Sequence, residues 1–235
     1  MKARVTTALV AAAVGVVCVT QAGWIHAKGF VAQVLIAAAW ERTERGVADA
    51  RPWPWADTRP VARLRLGGDG TPLVVLEGSS GRNLAFGPTH DPASVLPGDT
   101  GNSVIAGHRD THFSVLEKVN QGDRLRVDRP DGRTSYFEVS DVRIVDSRRK
   151  RIGLDADSPR LTLVTCYPFD AINPGGPLRF VVSADLVDSA KFAFGDFADV
   201  RFVAGRQKAR LLPAYAVSSS QKALIPVSSR PTVSW

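Results

Sequence analysis

The sequence predicts an all-β domain, a barrel or a sandwich, preceded by an apolar N-terminal helix. Short runs of apolar and β-branched residues recur between turns rich in Gly, Pro and Asp, and few stretches have helical periodicity. Once the helix and a polar C-terminal tail are set aside, about 140 of the 235 residues remain, which suits a single hydrophobic core. Because one of the two cysteines lies in the apolar helix, we expect no disulfide in this domain.

The N-terminal helix is predicted to anchor the protein in a membrane. Residues 5–25 carry no charge, and a helix of that length would be about 30 Å long, enough to cross a bilayer. A cleaved signal peptide is the alternative. We favour a retained anchor because no Ala-x-Ala cleavage site follows and Trp24 suits a membrane interface. Lys2 and Arg4 predict a cytoplasmic N-terminus, so the protein would be a single-pass protein of the cytoplasmic (inner) membrane with its domain on the periplasmic or extracellular side.

The segment after the anchor is predicted to form an amphipathic helix and then a linker. Five apolar residues fall on one helical face, which would lie on the domain or on the bilayer surface: Phe30, Val31, Val34, Leu35 and Ala38. The prolines of residues 51–55, Arg-Pro-Trp-Pro-Trp, exclude a helix there. The tryptophans could form a ligand-stacking surface, but we favour a tryptophan that packs against the barrel wall.

These features divide the chain into four predicted parts. They are a membrane anchor or signal peptide (1–26), the amphipathic helix with its Pro/Trp linker (27–60), the β-domain (61–187) and a basic, partly disordered C-terminal extension (188–235). Residues 200–235 hold six basic side chains and no acidic ones, so the extension would bind anionic lipid or wall polymer, or remain a solvated tail. A basic cluster at residues 148–151 lacks interleaved aromatic residues, and in an exported domain it does not predict nucleic-acid binding.

The predicted strands follow one another along the β-domain. They cover residues 61–66, 73–76, 103–109, 124–127, 135–139, 142–145, 161–166 and 178–182, with a tight hairpin at residues 129–132 and a short helix within residues 110–119.

Three of these strands offer side chains that carry out nucleophilic catalysis. Cys166 ends an apolar strand and has no disulfide partner in the domain, His108 ends another, and Arg179 lies among the apolar residues of a third. A thiolate attacks carbonyl carbons, an imidazole protonates a leaving amine, and a guanidinium stabilises an oxyanion. The alternative is that Cys166 is a small buried apolar residue.

Two other histidines, His90 and His112, are weaker candidates for the site. His90 lies in a predicted loop and suits a structural or rim position better than a catalytic one. His112, four residues after His108, has a spacing known from zinc sites, but no third ligand follows, so no metal is predicted.

Three motifs resemble those of the sortases, which are membrane-anchored cysteine transpeptidases. They are Gly-Asn-Ser-Val-Ile-Ala-Gly-His-Arg (101–109), Leu-Thr-Leu-Val-Thr-Cys (161–166) and Leu-Arg-Phe-Val-Val (178–182), within a similarity that spans residues 64–186. The resemblance implies a closed β-barrel of about eight strands with short helices. No cofactor is predicted. It implies His108, Cys166 and Arg179 as catalytic residues. The segment around Trp40 also resembles sortases of Gram-negative bacteria.

We predict three substrate contacts beside the catalytic residues: Thr165, Ala106 and Tyr167. The resemblance also implies that the loop of residues 167–177 shapes a substrate groove.

The resemblance implies a definite reaction. Cys166 would attack the threonine carbonyl of a Leu-Pro-x-Thr-Gly-like C-terminal sorting signal in a substrate protein, and the resulting thioacyl enzyme would pass its acyl group to an amine acceptor, either peptidoglycan or protein. An L,D-transpeptidase is disfavoured because its arginine closely follows the cysteine, whereas Arg179 lies thirteen residues after Cys166. A non-catalytic, membrane-tethered β-module is the remaining alternative.

Overall fold

The computed structural model describes residues 2–67, 71–78, 80–171, 173, 175–188 and 232–233. Their helices are α1 (Lys2–Glu44), α2 (Gly81–Leu84) and a 3₁₀ turn (Ser114–Lys118). Their strands are β1 (Pro60–Leu66), β2 (Leu73–Glu77), β3 (Thr89–His90), β4 (Asn102–Ala106), β5 (Arg124–Asp128), β6 (Thr134–Asp146), β7 (Ile152–Gly153), β8 (Arg160–Cys166), β9 (Leu178–Val187) and β10 (Thr232–Val233).

Eight strands close into a barrel in the order β1-β2-β3-β4-β8-β9-β6-β5, which confirms the predicted fold. Most neighbouring pairs are antiparallel, but β2–β3 and β4–β8 are parallel. The barrel core is filled by buried apolar side chains from every wall, among them Leu64, Ile105, Phe137, Leu163 and Val182. Because these side chains alternate with residues on the outer face, each strand presents its other residues to solvent or to a covering loop.

Two predicted strands form one long strand, β6. Residues 135–139 and 142–145 are joined because the pairing of β6 with β9 shifts by one residue between Val139 and Asp141, as at a β-bulge. The predicted hairpin at residues 129–132 is present, and Gly132 has the positive φ of 82° that favours glycine in such a turn.

The two predicted N-terminal helical segments form the single helix α1, which has 43 residues. By length and composition it contains a candidate membrane span over Ala11–Glu44, although a signal sequence would meet the same criterion. The apolar face predicted from Phe30 to Ala38 does not pack on the barrel. The opposite face packs there instead, and its buried residues are Ala32, Ile36, Ala39 and Trp40.

The two linker tryptophans differ in their surroundings. Trp53 packs edge-on against Phe86, with ring centroids 5.0 Å apart, as expected. Trp55, in contrast, is 83% exposed. Most of the predicted C-terminal extension lies outside the described residues; Thr232 and Val233 pair with Gly153 and Ile152.

Candidate active site

Three adjacent strands bring the predicted residues to one rim of the barrel. In the parallel pair β4–β8, Ala106 lies opposite Val164, and in the antiparallel pair β8–β9, Cys166 lies opposite Arg179. His108 is two residues beyond Ala106, just as Cys166 is two residues beyond Val164. The register therefore puts His108 and Arg179 on either side of Cys166.

The site is on the outside of the barrel wall. Val104, Val164 and Val181 form an apolar cluster that is separate from the barrel core and is covered by Leu154 of the segment after β7. Cys166 is two residues from Val164 along β8, and residues two apart share a face of a strand. Cys166 is partly exposed and not in a disulfide, and His108 is exposed, so both residues are accessible from the outer face of the wall.

The backbone just after β4 lies close to the ring of Phe113, and Gly107 makes this possible because it has no side chain. A Cβ atom on Gly107 would lie 2.7 Å from atoms of the buried Phe113 ring, closer than side chains tolerate. The backbone N–H of Phe113 donates to the carbonyl oxygen of His108 at 3.0 Å. These two contacts fix the chain on both sides of the histidine.

Thr165 fixes Gly107 from the other strand. Its hydroxyl donates to the carbonyl oxygen of Gly107 at 2.7 Å, and the residue is 2% exposed. Ala106 is likewise buried, whereas Tyr167 is half-buried and packs beside the rings of Phe169 and Phe180. Of the three predicted substrate contacts, only Tyr167 thus has appreciable exposure.

Arg109 was not predicted as a functional residue, yet it holds the loop that follows the cysteine. Its Nη1 donates to the carbonyl oxygen of Pro168 at 2.9 Å, and its Nη2 donates to that of Ala171 at 2.7 Å. A longer bond of 3.4 Å reaches the carbonyl oxygen of Asn173. Because the acceptors are backbone atoms, the sequence carries no signal for this contact beyond an arginine next to His108.

Arg179 makes backbone contacts of its own. Its Nη1 donates to the carbonyl oxygen of Gly176 at 2.6 Å and to that of Leu178 at 3.0 Å. The guanidinium is thus held at the start of β9, on the strand that pairs with Cys166.

The other two histidines have separate surroundings. His90 is buried on β3, where its Nε2 lies 2.9 Å from the carbonyl oxygen of Val95 and 3.1 Å from the Oγ of Ser94; burial lowers the pKa of His90. Burial, and then the charge of His108, lower the pKa of His112. In the part of the chain that the structure describes, no group of three or more His, Cys, Asp or Glu side chains is arranged to hold a metal ion.

Comparison with known families decides the assignment. The model of the Sortase family, described as the sortase domain, matches residues 68–187, just over half of the chain. The chain belongs to the sortase family. The resemblance seen in the three motifs is thereby confirmed, and the enzymes of this family are transpeptidases.

Individual sortases show how far the likeness extends. Sortase D of Bacillus subtilis (strain 168) is 33% identical over 111 residues, which are 47% of this chain and 55% of that protein, so the chain spans about half the length of this curated relative. Sortase A from Corynebacterium diphtheriae has a TM-score of 0.49 at 24% identity, and the match covers 67% of this chain and 84% of that protein. Sortase C-1 from Actinomyces oris has a TM-score of 0.47 at 25% identity, and the match covers 65% of this chain and 97% of that protein.

Proposed function

We propose that this sortase is a membrane-anchored cysteine transpeptidase whose catalytic residues are Cys166, His108 and Arg179. The observation that supports this most directly is the strand register, since β4 and β9 flank β8 and bring all three residues to one rim. The partial exposure of Cys166 supports it further, because a nucleophile must be reachable.

The proposed chemistry has two acyl-transfer steps. The Sγ of Cys166 attacks the threonine carbonyl of a Leu-Pro-x-Thr-Gly-like sorting signal, and the tetrahedral intermediate collapses to a thioacyl enzyme as the amine leaves. His108 protonates that leaving amine. It then takes a proton from the incoming amine, which attacks the thioester and frees the thiolate. Arg179, turned from Gly176 toward Cys166, donates to the oxyanion in both steps.

The substrate would lie along the outer wall between the β8–β9 loop and the segment that covers Val164. We propose Ala106, Thr165 and Tyr167 as its neighbours there. Thr165 would act through its hydrogen bond to Gly107 unless the substrate displaces that bond, whereas Tyr167 is exposed enough for direct contact.

We also propose the cellular setting. The N-terminal part of α1 would cross the cytoplasmic membrane once, with residues 61–187 as the catalytic unit outside it and residues 188–235 as an extension. The substrates would be proteins with a C-terminal sorting signal, and the acceptor an amine of peptidoglycan or of another protein. The apolar helix α1 supports the anchor.

A peptide ligation assay tests the proposal. The full chain in lipid nanodiscs is incubated with a panel of Leu-Pro-x-Thr-Gly peptides, with and without an added amine. The masses of the products and of the fragments that contain Cys166 are then measured by mass spectrometry. We expect an acyl adduct on Cys166, a ligated product with the amine, and loss of both in Cys166→Ala and His108→Ala. Arg179→Ala should lower the rate by roughly 10²- to 10³-fold, the range for removal of one oxyanion donor.

Matched substitutions separate catalysis from damage to the fold. Cys18→Ala and Arg160→Ala alter two of the same residue types elsewhere and should leave ligation unchanged. If the folded chain gives neither adduct nor product with any peptide of the panel, the sorting-signal substrate is wrong. If Cys166 of the folded chain is also inert to iodoacetamide until it is unfolded, the non-catalytic module is the better description.

A further inference from the structure

The barrel has an apolar groove on the side that faces α1, away from Cys166. The groove has a volume of about 640 Å³ and runs between the helix and the Pro/Trp linker; its apolar walls come from Trp24, Val31, Leu35, Trp53, Trp55 and Phe86. Trp55 is 83% exposed and Trp24 is 60% exposed. Large aromatic side chains with this exposure, gathered at one place, mark a surface that binds a partner.

The exposed face of α1 continues this groove. Phe30, Val31, Val34 and Leu35 remain exposed, although they are larger than Ala32 and Ala39 on the face that packs against the barrel. The side-chain amide of Gln33 donates to the carbonyl oxygen of Phe86 at 2.7 Å and fixes the helix against the loop that lines the groove. The helix therefore holds its bulky apolar residues beside Trp55 on one continuous surface.

The length of α1 sets the distance of this surface from the bilayer. The uncharged run ends at residue 25. Among the helix residues whose side chains the structure describes, Ala32 is the first that is buried, seven residues later. Seven residues of helix rise about 10 Å. The headgroup layer on each side of a bilayer is roughly 5 to 8 Å thick. The barrel thus begins just beyond the headgroup layer. The groove, whose helix residues run from Trp24 to Leu35, starts at the edge of the hydrocarbon and crosses that layer.

The charged residues at the groove fit lipid headgroups. Lys28 and Arg82 line it together with one acid, Asp57, and the Lys28 Nζ lies 5.1 Å from the centroid of the Trp24 ring. Tryptophan prefers the membrane–water interface, and lysine and arginine there extend their charged ends toward phosphates.

We infer that the barrel docks on the membrane from which its own anchor emerges, with phospholipid of that leaflet as the occupant of the groove. Trp55 inserts among the headgroups while Lys28 and Arg82 contact lipid phosphates. Docking makes the barrel and α1 one rigid unit on the bilayer and sets the height and direction of the Cys166 rim. The inference rests on the proposed anchor but not on the proposed chemistry.

A fluorescent label at position 55 tests the docking. Trp55→Cys is placed in a Cys18→Ser, Cys166→Ser background and labelled with the fluorophore NBD, and the full chain is reconstituted into phosphatidylcholine–phosphatidylglycerol vesicles. Leu186→Cys is the matched control, because Leu186 is also an exposed apolar side chain but lies on β9, across the barrel from α1. Since Trp55 is mostly exposed, its replacement removes little packing.

We expect the label at position 55 to be quenched by phospholipids brominated in their acyl chains and to be reduced by aqueous dithionite several-fold more slowly than the label at position 186. Charge reversal by Lys28→Glu with Arg82→Glu should weaken this protection.

Equal dithionite rates at both positions, in protein that still sediments with vesicles after a carbonate wash, would overturn the docking while leaving the anchor intact. The same result would follow if a membrane segment of the substrate were the true occupant, since these vesicles contain none. Release by the carbonate wash would overturn the anchor and the docking together. Because the labelled chain lacks Cys166, no outcome depends on whether the protein is a transpeptidase.

Discussion

The hydroxyl of Thr165 donates to the carbonyl oxygen of Gly107 at 2.7 Å, and so links the residue before Cys166 to the residue before His108. The bond closes the parallel pair β4–β8 at the point where both strands end. It fixes the relative positions of two residues that lie 58 positions apart in the sequence.

The first prediction concerns this bond. Thr165→Val keeps the shape of the side chain and removes the hydroxyl, which leaves the Gly107 carbonyl without this donor and should cost about 1–3 kcal/mol of unfolding free energy. If Thr165 acts by positioning, kcat for peptide ligation falls while KM changes little, and Thr165→Ser restores kcat because serine keeps the hydroxyl. A rise in KM alone, with kcat unchanged, would instead make Thr165 a direct substrate contact.

The second prediction concerns Gly107. Gly107→Ala forces a methyl group to within 2.7 Å of the Phe113 ring, so the turn that carries His108 must shift. We expect a loss of about 1–3 kcal/mol in urea unfolding, as for other over-packed sites, together with lower ligation activity. Gly153→Ala is the control, since nothing lies within 4 Å of its added Cβ. Equal stability of the two variants would refute the close approach.

The third prediction concerns Arg109. Arg109→Lys keeps the charge but replaces a planar guanidinium, which reaches Pro168 and Ala171 at once, by a single ammonium. Amide hydrogen exchange in residues 167–171 should become faster, and KM for the sorting-signal peptide should rise, because the loop would have to be ordered during binding. Arg149→Lys, at an exposed position, should change neither quantity. Unchanged exchange in the loop would mean that the three hydrogen bonds do not order it.

The strands and the strand ends of the site could be predicted because their signal is local. Cys166 follows a run of apolar and β-branched residues and precedes Pro168, and His108 follows a similar run and a glycine. The alignment of His108 and Cys166 at the same height on the barrel depends on the parallel pairing of β4 and β8. These strands are more than 50 residues apart in the sequence, and no local pattern predicts that they pair. The resemblance to a family supplied that alignment.

The outward face of α1 shows where local pattern is insufficient. Helical periodicity identified Phe30, Val34 and Ala38 as one apolar face, but periodicity does not say whether such a face meets protein or lipid. The barrel is packed instead by Ala32, Ile36, Ala39 and Trp40, two of which are alanines. The two alanines allow the close approach of helix and barrel, while Phe30, Val31, Val34 and Leu35 stay exposed.

The last prediction is a pH dependence of stability that arises from His90. Burial lowers the pKa of His90 below its usual value of 6.5, so the folded state favours the neutral ring more than the unfolded state does. Its contribution to stability is therefore complete above pH 6.5 and is lost as the pH falls from 6.5 through the lower folded pKa. The urea midpoint should decrease over this window, and His90→Gln, which keeps a donor for Val95, should flatten the decrease.

Because burial also lowers the pKa of His112, His112→Gln should remove a further part of the slope. Proton NMR of the ring should give His90 a midpoint below 6.5; a midpoint at or above that value would contradict the prediction.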